Sequence, residues 1–437
     1  MLPARLEPRL QRAYHCLAKG FGKLGTGAAP GPGSSAGGMK SPAYKQKLWR
    51  FCNNKRVQET ALIEPMHEAI RRETAERPGG VLLAVHDWST LSFGHHPSKT
   101  DRATLTHAHD LGYDLATVLM VRGDDGAPIA PAVVSLEAAE TIHTTKDAPH
   151  PLGESHVDQI LGNMNYTHEQ GLGPPLVHVI DREADSINHW RQWSAAGHVA
   201  LVRADNRIVL HRGEETTLEK VADGLRDSGS LKHVRDVLHR GRAARQYVGE
   251  APVTLHKPGR RNEAGGKKVD VPGPPLGLRL IVSEVRDAEG RLLARWLLLT
   301  NAPEDLADAA TVALWYYFRW RVESLHKLIK SAGWQLESWL QRDGRRILIK
   351  LLIAFGAAAS IWALERRSDA ESKELQDLLM HLSGRQTKRT RRVTTSGLLA
   401  GLWVLQAAVG PLARHGPDQL NAMLETHLPL FAVNKHP

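Results

Sequence analysis

Two short apolar runs, each giving way to an aspartate, limit most strongly what this chain can fold into. Val81-Leu82-Leu83-Ala84-Val85 follows Pro78-Gly79-Gly80 and leads to Asp87, while Leu176-Val177-His178-Val179-Ile180 leads directly to Asp181. Apolar runs of this length without polar alternation are strands buried on both faces, as in an α/β sheet covered by helices. Ligands of such sheets gather where strands end, so the two aspartates mark a candidate site. The first strand is expected to stop at Asp87.

The surrounding sequence fills in the same architecture. Residues 115–121 and 130–136 read as neighbouring strands across the turn-like Gly123-Asp124-Asp125-Gly126. Residues 187–195 read as a helix and 198–203 as a further strand. From 204 to 295 polar and apolar residues alternate around clusters such as Pro272-Gly273-Pro274-Pro275, which indicates an inserted β-rich subdomain. Helix dominates after Pro303. A chain of 437 residues exceeds what one core supports, so several domains are expected. We divide it into a variable N-terminus with a Gly/Pro-rich linker (1–43), a basic helical arm (44–77), the first part of the core (78–203) and the β-rich insertion (204–295). The second part of the core (296–372) and a C-terminal helical region (373–437) complete it, with the basic run at 385–392 as an exposed boundary.

A third carboxylate comes from residues 315–330, read as one helix. At about 100° per residue, with Glu323 at zero, Tyr316 lies near +20°, Arg319 near −40° and Lys330 near −20°. Leu314, Phe318, Val322 and Leu325 fill the opposite side, so the helix is amphipathic. One stripe therefore carries a phenol, a guanidinium, a carboxylate and an ammonium. Helix-spaced ion pairs on a solvated face would also produce such a stripe.

The 57 Lys and Arg residues exceed the 47 Asp and Glu, and the formal charge of +10 favours a polyanionic partner such as nucleic acid over a merely solvated basic surface. Only Cys16 and Cys52 are present, too few for a disulfide framework or a cysteine zinc site, which fits a reducing compartment, the cytoplasm. The N-terminus alternates Arg and Leu without the apolar core of a secretory signal. Residues 351–364 fall short of the ~20 needed to span a bilayer and read as a buried helix, so no membrane partner is expected.

The ordered motifs also resemble a known family. Tyr316-x2-Arg319-x3-Glu323-x6-Lys330 resembles the Y-R-E-K signature of bacterial insertion-sequence-four DDE transposases, and Asp181-Arg182-Glu183-Ala184-Asp185, Trp296-Leu297-Leu298-Leu299-Thr300 and Arg319-Trp320-Arg321-Val322-Glu323 are similar to segments of that family. The resemblance runs from about residue 49 to 367. It implies an RNase H-like α/β core with the β-rich insertion, flanked by helical N- and C-terminal regions. It implies that Asp87, Asp181 and Glu323 are catalytic and hold two Mg²⁺ or Mn²⁺ ions, a choice that all-oxygen ligands suit. It further implies cleavage of the ends of a mobile element and transfer of the freed 3′-hydroxyls to target DNA. Double-stranded DNA is then the partner, a homodimer forms on it, and the protein joins the nucleoid when bound. Tyr316, Arg319 and Lys330 would grip phosphates, and Arg203 is a further DNA-contact residue unless it serves a surface ion pair. Trp296 would stack on an extruded base, with core packing as its other reading. Residues 1 to 40 lack the family's N-terminal module, and the C-terminal segment, which pairs subunits in the family, is only loosely similar.

Two glycine patterns are set aside. Gly20-Phe21-Gly22-Lys23-Leu24-Gly25 lacks the strand and helix a dinucleotide loop requires, and Gly33-Ser34-Ser35-Ala36-Gly37 falls within the linker. Two other functions stay open: a His/Asp metal phosphohydrolase, suggested by His86-Asp87 and His109-Asp110, and an inactive transposase relic or transposition inhibitor that binds DNA. Histidine ligands would favour zinc or iron, whereas three carboxylates favour Mg²⁺.

Overall fold

The computed structural model describes residues 2–21, 42–107, 109–173, 175–262, 268–332, 334–384 and 393–427. Most of the Gly/Pro-rich linker, with the larger part of both glycine patterns, and the basic run at 385–392 lie outside the described residues. Two compact units form: one comprises Leu62–His326 and Arg342–Leu348, the other Met1–Ala61, Lys327–Gln341 and Ile349–Pro437.

The first unit is built on a mixed sheet. Its central strands are β1 (Leu82–Ser92), β2 (Leu111–Arg122), β3 (Pro128–Glu137), β4 (Leu176–Ile180) and β5 (Val199–Arg203). They lie side by side in the order β3-β2-β1-β4-β5. β2 is antiparallel to both β1 and β3, whereas β1, β4 and β5 run parallel. This order and these directions are those of an RNase H-like core. Parallel neighbours need crossovers, which the helices α4 (Gln159–Glu169) and α5 (Ile187–Ala195) supply. Leu82 to Val85 are buried, as their unbroken apolar character requires. β1 nevertheless runs past Asp87 to Ser92, because the longer β2 keeps pairing with it as far as Gly112.

The segment from 204 to 295 extends the same sheet. Its strands are β6 (Ile208–His211), β7 (Glu214–Thr217), β8 (Lys232–His239), β9 (Arg242–Leu255) and β10 (Leu276–Arg286), with helix α6 (Leu218–Asp227) between β7 and β8. β11 (Leu292–Thr300) joins them to β5, Leu298 lying opposite Arg203. From β5 the order continues β11-β10-β9-β6-β7, with β8 on β9. Trp190, Trp193, Val202, Val209, Leu280 and Leu299 belong to one apolar cluster that spans core and extension. Leu62, Ile63, Met66 and Ile70 of the helix Glu59–Glu76 are also buried, and its Arg71 is paired with Glu64 and Glu68. The basic region from 44 to 77 is therefore two helices, α2 (Pro42–Cys52) and α3 (Glu59–Glu76), which follow α1 (Pro8–Phe21), and α3 has an interior face.

The second unit is helical. Its longest members, Gly344–Glu365 and Thr395–His427, are apolar enough in length and composition to cross a bilayer, but 78% of the most apolar window of the first is buried inside the protein. Gly356 seats the Tyr14 hydroxyl where a Cβ would lie only 2.2 Å from it.

Candidate active site

Two carboxylates are brought level by strand register. Val85 of β1 is paired with Val179 of β4, and two residues further along each strand stand Asp87 and Asp181. Side chains alternate along a strand. His86, Trp88 and Ile180 point toward the face covered by α4 and α5, and Asp87 and Asp181 point to the other. That second face receives α7 (Ala309–Phe318) and α8 (Trp320–Lys327).

The third carboxylate arrives on α8. Asp308 caps α7 by accepting from the Thr311 amide at 2.8 Å, and the Trp315 indole donates to the Gly123 carbonyl at 3.1 Å in the loop between β2 and β3. The Phe318 ring lies over Gly126. These contacts fix the start of the segment expected as one helix. It is in fact interrupted at Arg319, whose backbone stays helical (φ −52°, ψ −33°), and ends in a π-helical turn, Leu328–Ala332. Because Arg319 keeps helical angles, Tyr316, Arg319 and Glu323 remain on one stripe.

That stripe meets the two aspartates. The Arg319 guanidinium lies 2.6 Å from Glu323 Oε1, 3.6 Å from Asp181 Oδ2 and 3.7 Å from Asp87 Oδ1. The Tyr316 hydroxyl donates to Asp181 Oδ1 at 3.1 Å, and the Arg182 amide donates to the same oxygen at 2.7 Å. His326 places Nδ1 3.6 Å from Asp87 Oδ2. The sequence reading missed this histidine, although at three residues beyond Glu323 it falls near −60° on the same helical count. Arg203, at the end of β5, makes no ion pair among the described residues, and its charge reaches the Tyr316 phenol. Trp296 is half-buried, outside the apolar core, and shares a strand face with Leu298, the register partner of Arg203. Lys330 lies in the π-helical turn, which belongs to the other compact unit.

The electrostatics follow from crowding acids in a poorly solvated place. Burial raises the Asp87 pKa to about 6; Arg319 and the Trp88 amide oppose the rise, while Glu323 and Asp181 add to it. Burial acts against the charged form of Arg319 as well, but Asp181, Tyr316, Asp87 and Glu323 outweigh it, and its pKa stands above the ordinary value. Burial also raises Tyr316, helped by Asp181, so its phenol stays protonated and donates. Among the described residues no three His, Cys, Asp or Glu side chains close around a point that could hold a metal ion as they stand. The donor set nonetheless suits a hard cation. It is all oxygen, and one carboxylate resists ionisation even beside a guanidinium, so the cluster is short of positive charge.

This shortage is measurable. The Asp87 pKa is raised above the ordinary 3.8, so its ionisation costs nothing below about pH 4 and destabilises the metal-free fold as pH rises through about 6. Asp87→Asn is expected to stabilise the metal-free protein by on the order of 2 kcal/mol above about pH 7, and to change little near pH 4. Melting curves at the two pH values check this. Equal melting of both proteins at neutral pH would contradict it.

The histidines singled out beside aspartates take no part in this cluster. His86 Nε2 lies 3.0 Å from His178 Nδ1, buried on the α4 side of the sheet. Burial first, then His198 and Lys146, lowers the His86 pKa to about 3. His109 is exposed.

Residues 167–359 match the family model described as a transposase DDE domain. This stretch includes Asp181, Trp296, Tyr316, Arg319, Glu323 and Lys330, while Asp87 precedes it. No curated protein matches the chain. Among solved structures the chain is similar to a piggyBac transposase synaptic complex with hairpin DNA, determined by cryo-EM. The identity is 11%, the match covers 100% of this chain and 79% of that one, and the TM-score is 0.35, too low to bear on the site.

Proposed function

We propose that the chain is a DNA transposase of the DDE class, related to the insertion-sequence-four group, that cuts the ends of a mobile element and joins the freed 3′-hydroxyls to target DNA. The observation that carries this reading is the convergence of Asp87, Asp181 and Glu323 on the Arg319 guanidinium. The match of residues 167–359 to a transposase domain supports it. The three acids would hold two Mg²⁺ or Mn²⁺ ions, which when bound stabilise the entering and leaving oxygens of a phosphodiester on opposite sides of phosphorus.

The chain's own residues prepare that chemistry. Tyr316 and the Arg182 amide fix the orientation of Asp181 through one carboxylate oxygen. Arg319 neutralises the acids in the metal-free chain and, once released, can present its bidentate fork to a phosphate. Arg203, which makes no ion pair among the described residues and whose charge reaches Tyr316, and Lys330 are further phosphate ligands in this reading. The half-exposed Trp296 offers an indole face to an unstacked base, an interaction of ~1–3 kcal/mol. The active assembly on DNA is a homodimer.

The test uses the purified chain and a duplex carrying the inverted repeats that flank its coding region. Mg²⁺ or Mn²⁺ should produce nicks ending in 3′-hydroxyls, and chelation should abolish them. Cleavage supported by zinc alone would instead indicate a phosphohydrolase, and duplex binding without cleavage in any metal would indicate a transposition inhibitor.

A further inference from the structure

The sheet extension ends in a ribbon that no step above uses. β8 and β9 pair from Lys232 opposite Val248 to His239 opposite Arg242. On its other edge β9 pairs with β10, but that register stops at Arg245 opposite Arg286. Among the described residues, 237–244 therefore have no third strand beside them. The turn is Arg240-Gly241, with φ of 49° and 79°. Two positive φ angles give the tight turn that matches strand twist, yet its first position favours Asn or Asp over a long side chain. An arginine in a sparsely populated conformation at the tip suggests use rather than stability.

The side chains point the same way. Leu238 and Ala243 face each other across the ribbon and are exposed, Leu238 to 76%. An isolated leucine this exposed gains nothing from the fold. Around it Arg240, Arg242 and Arg245 are exposed, and their side chains make no hydrogen bond or ion pair among the described residues. The nearby carboxylate, Asp236, is taken by His233 at 3.1 Å. Between 232 and 245 five Lys and Arg residues stand against that single acid.

We propose that the β8–β9 ribbon is a DNA-binding finger, in which Arg240, Arg242 and Arg245 contact phosphates and Leu238 presses between base steps. A two-stranded ribbon is narrow enough for a groove of duplex DNA, and apolar side chains at such tips act as wedges that unstack and kink it. The proposal rests on the reading of the chain as a DNA enzyme, which supplies the polyanion. It adds a contact surface separate from the carboxylate cluster.

The test measures equilibrium binding of the full chain to a mixed-sequence duplex over a range of salt concentrations. The combined Arg240→Gln, Arg242→Gln and Arg245→Gln variant should melt like wild type and bind more weakly, and its slope of log K against log salt should be smaller by roughly 2–3, about 0.9 per lost phosphate contact. Leu238→Ala should keep the slope but lose the fluorescence rise of 2-aminopurine that accompanies unstacking. If the triple variant melts early, the single substitutions are measured, each with a slope change of about 0.9. Unchanged slopes in folded variants, or a loss seen only with anionic vesicles, would overturn the finger and leave the catalytic reading intact. A wild-type chain that never nicks DNA while the ribbon variants still lose salt slope would overturn the catalytic reading alone.

Discussion

Replacing Asp87, Asp181 or Glu323 singly by its amide is expected to lower Mg²⁺-dependent nicking at least about a thousandfold, because several kcal/mol of charge stabilisation are lost and each ~1.4 kcal/mol is tenfold in rate. The size and hydrogen-bonding outline of each side chain are kept, so duplex binding should stay within about threefold of wild type. The three substitutions are not equivalent in stability. Asp87 is the acid that burial raises to about pH 6, so its amide should melt higher than wild type at neutral pH. Glu323 stands 2.6 Å from Arg319, and its amide leaves that guanidinium with two more distant partners. Nicking and melting temperature measured on the same preparations check both parts. A variant that cleaves at near-normal rate removes that residue from the site.

A second large effect is expected at a position remote in sequence from the three acids of the site. Gly126 has φ +68°, and a Cβ there would come within 2.3 Å of the Phe318 ring. Gly126→Ala combines backbone strain with overpacking and should cost about 2–4 kcal/mol. Phe318 directly precedes Arg319, so pushing the ring away also moves the guanidinium on which the acids converge. We therefore expect a lower melting temperature together with a loss of nicking that excess Mg²⁺ does not restore. Phe318→Leu in the same chain should recover part of the stability by making room. If the double variant melts no higher than Gly126→Ala alone, the ring is not what the added methyl meets.

Much of the core was legible because burial on both faces leaves an unmistakable trace. The five core strands were all marked by apolar runs, and the helix Ile187–Ala195 matched its reading at both ends. β1 was misjudged at its far end because Trp88-Ser89-Thr90-Leu91-Ser92 no longer reads as apolar. There pairing with β2, a long-range contact, decides the structure in place of local pattern. The continuity of the sheet through residues 208–300 was hidden for a similar reason: Pro and Gly clusters mark turns, but they do not say which strand edge a hairpin will join. For the candidate site, one helix stripe placed Tyr316, Arg319 and Glu323 together. Helical periodicity could not show that the arginine would sit among the acids, since Asp87 and Asp181 come from strands more than a hundred residues earlier. His326 was within reach of the same count, but only the stripe of Tyr316, Arg319, Glu323 and Lys330 was read from it.

The continuous sheet has a consequence for how the protein is made. β5 finds its second neighbour only in β11, Leu201 opposite Thr300, and Glu323 follows later still. A nascent chain long enough to show Asp87 and Asp181 thus has an open strand edge and lacks the third acid. Pairings this distant in sequence close slowly. The ribosome therefore withholds the carboxylate cluster until roughly three quarters of the chain has emerged, and no amino-terminal fragment ending before α8 can bring the three acids together.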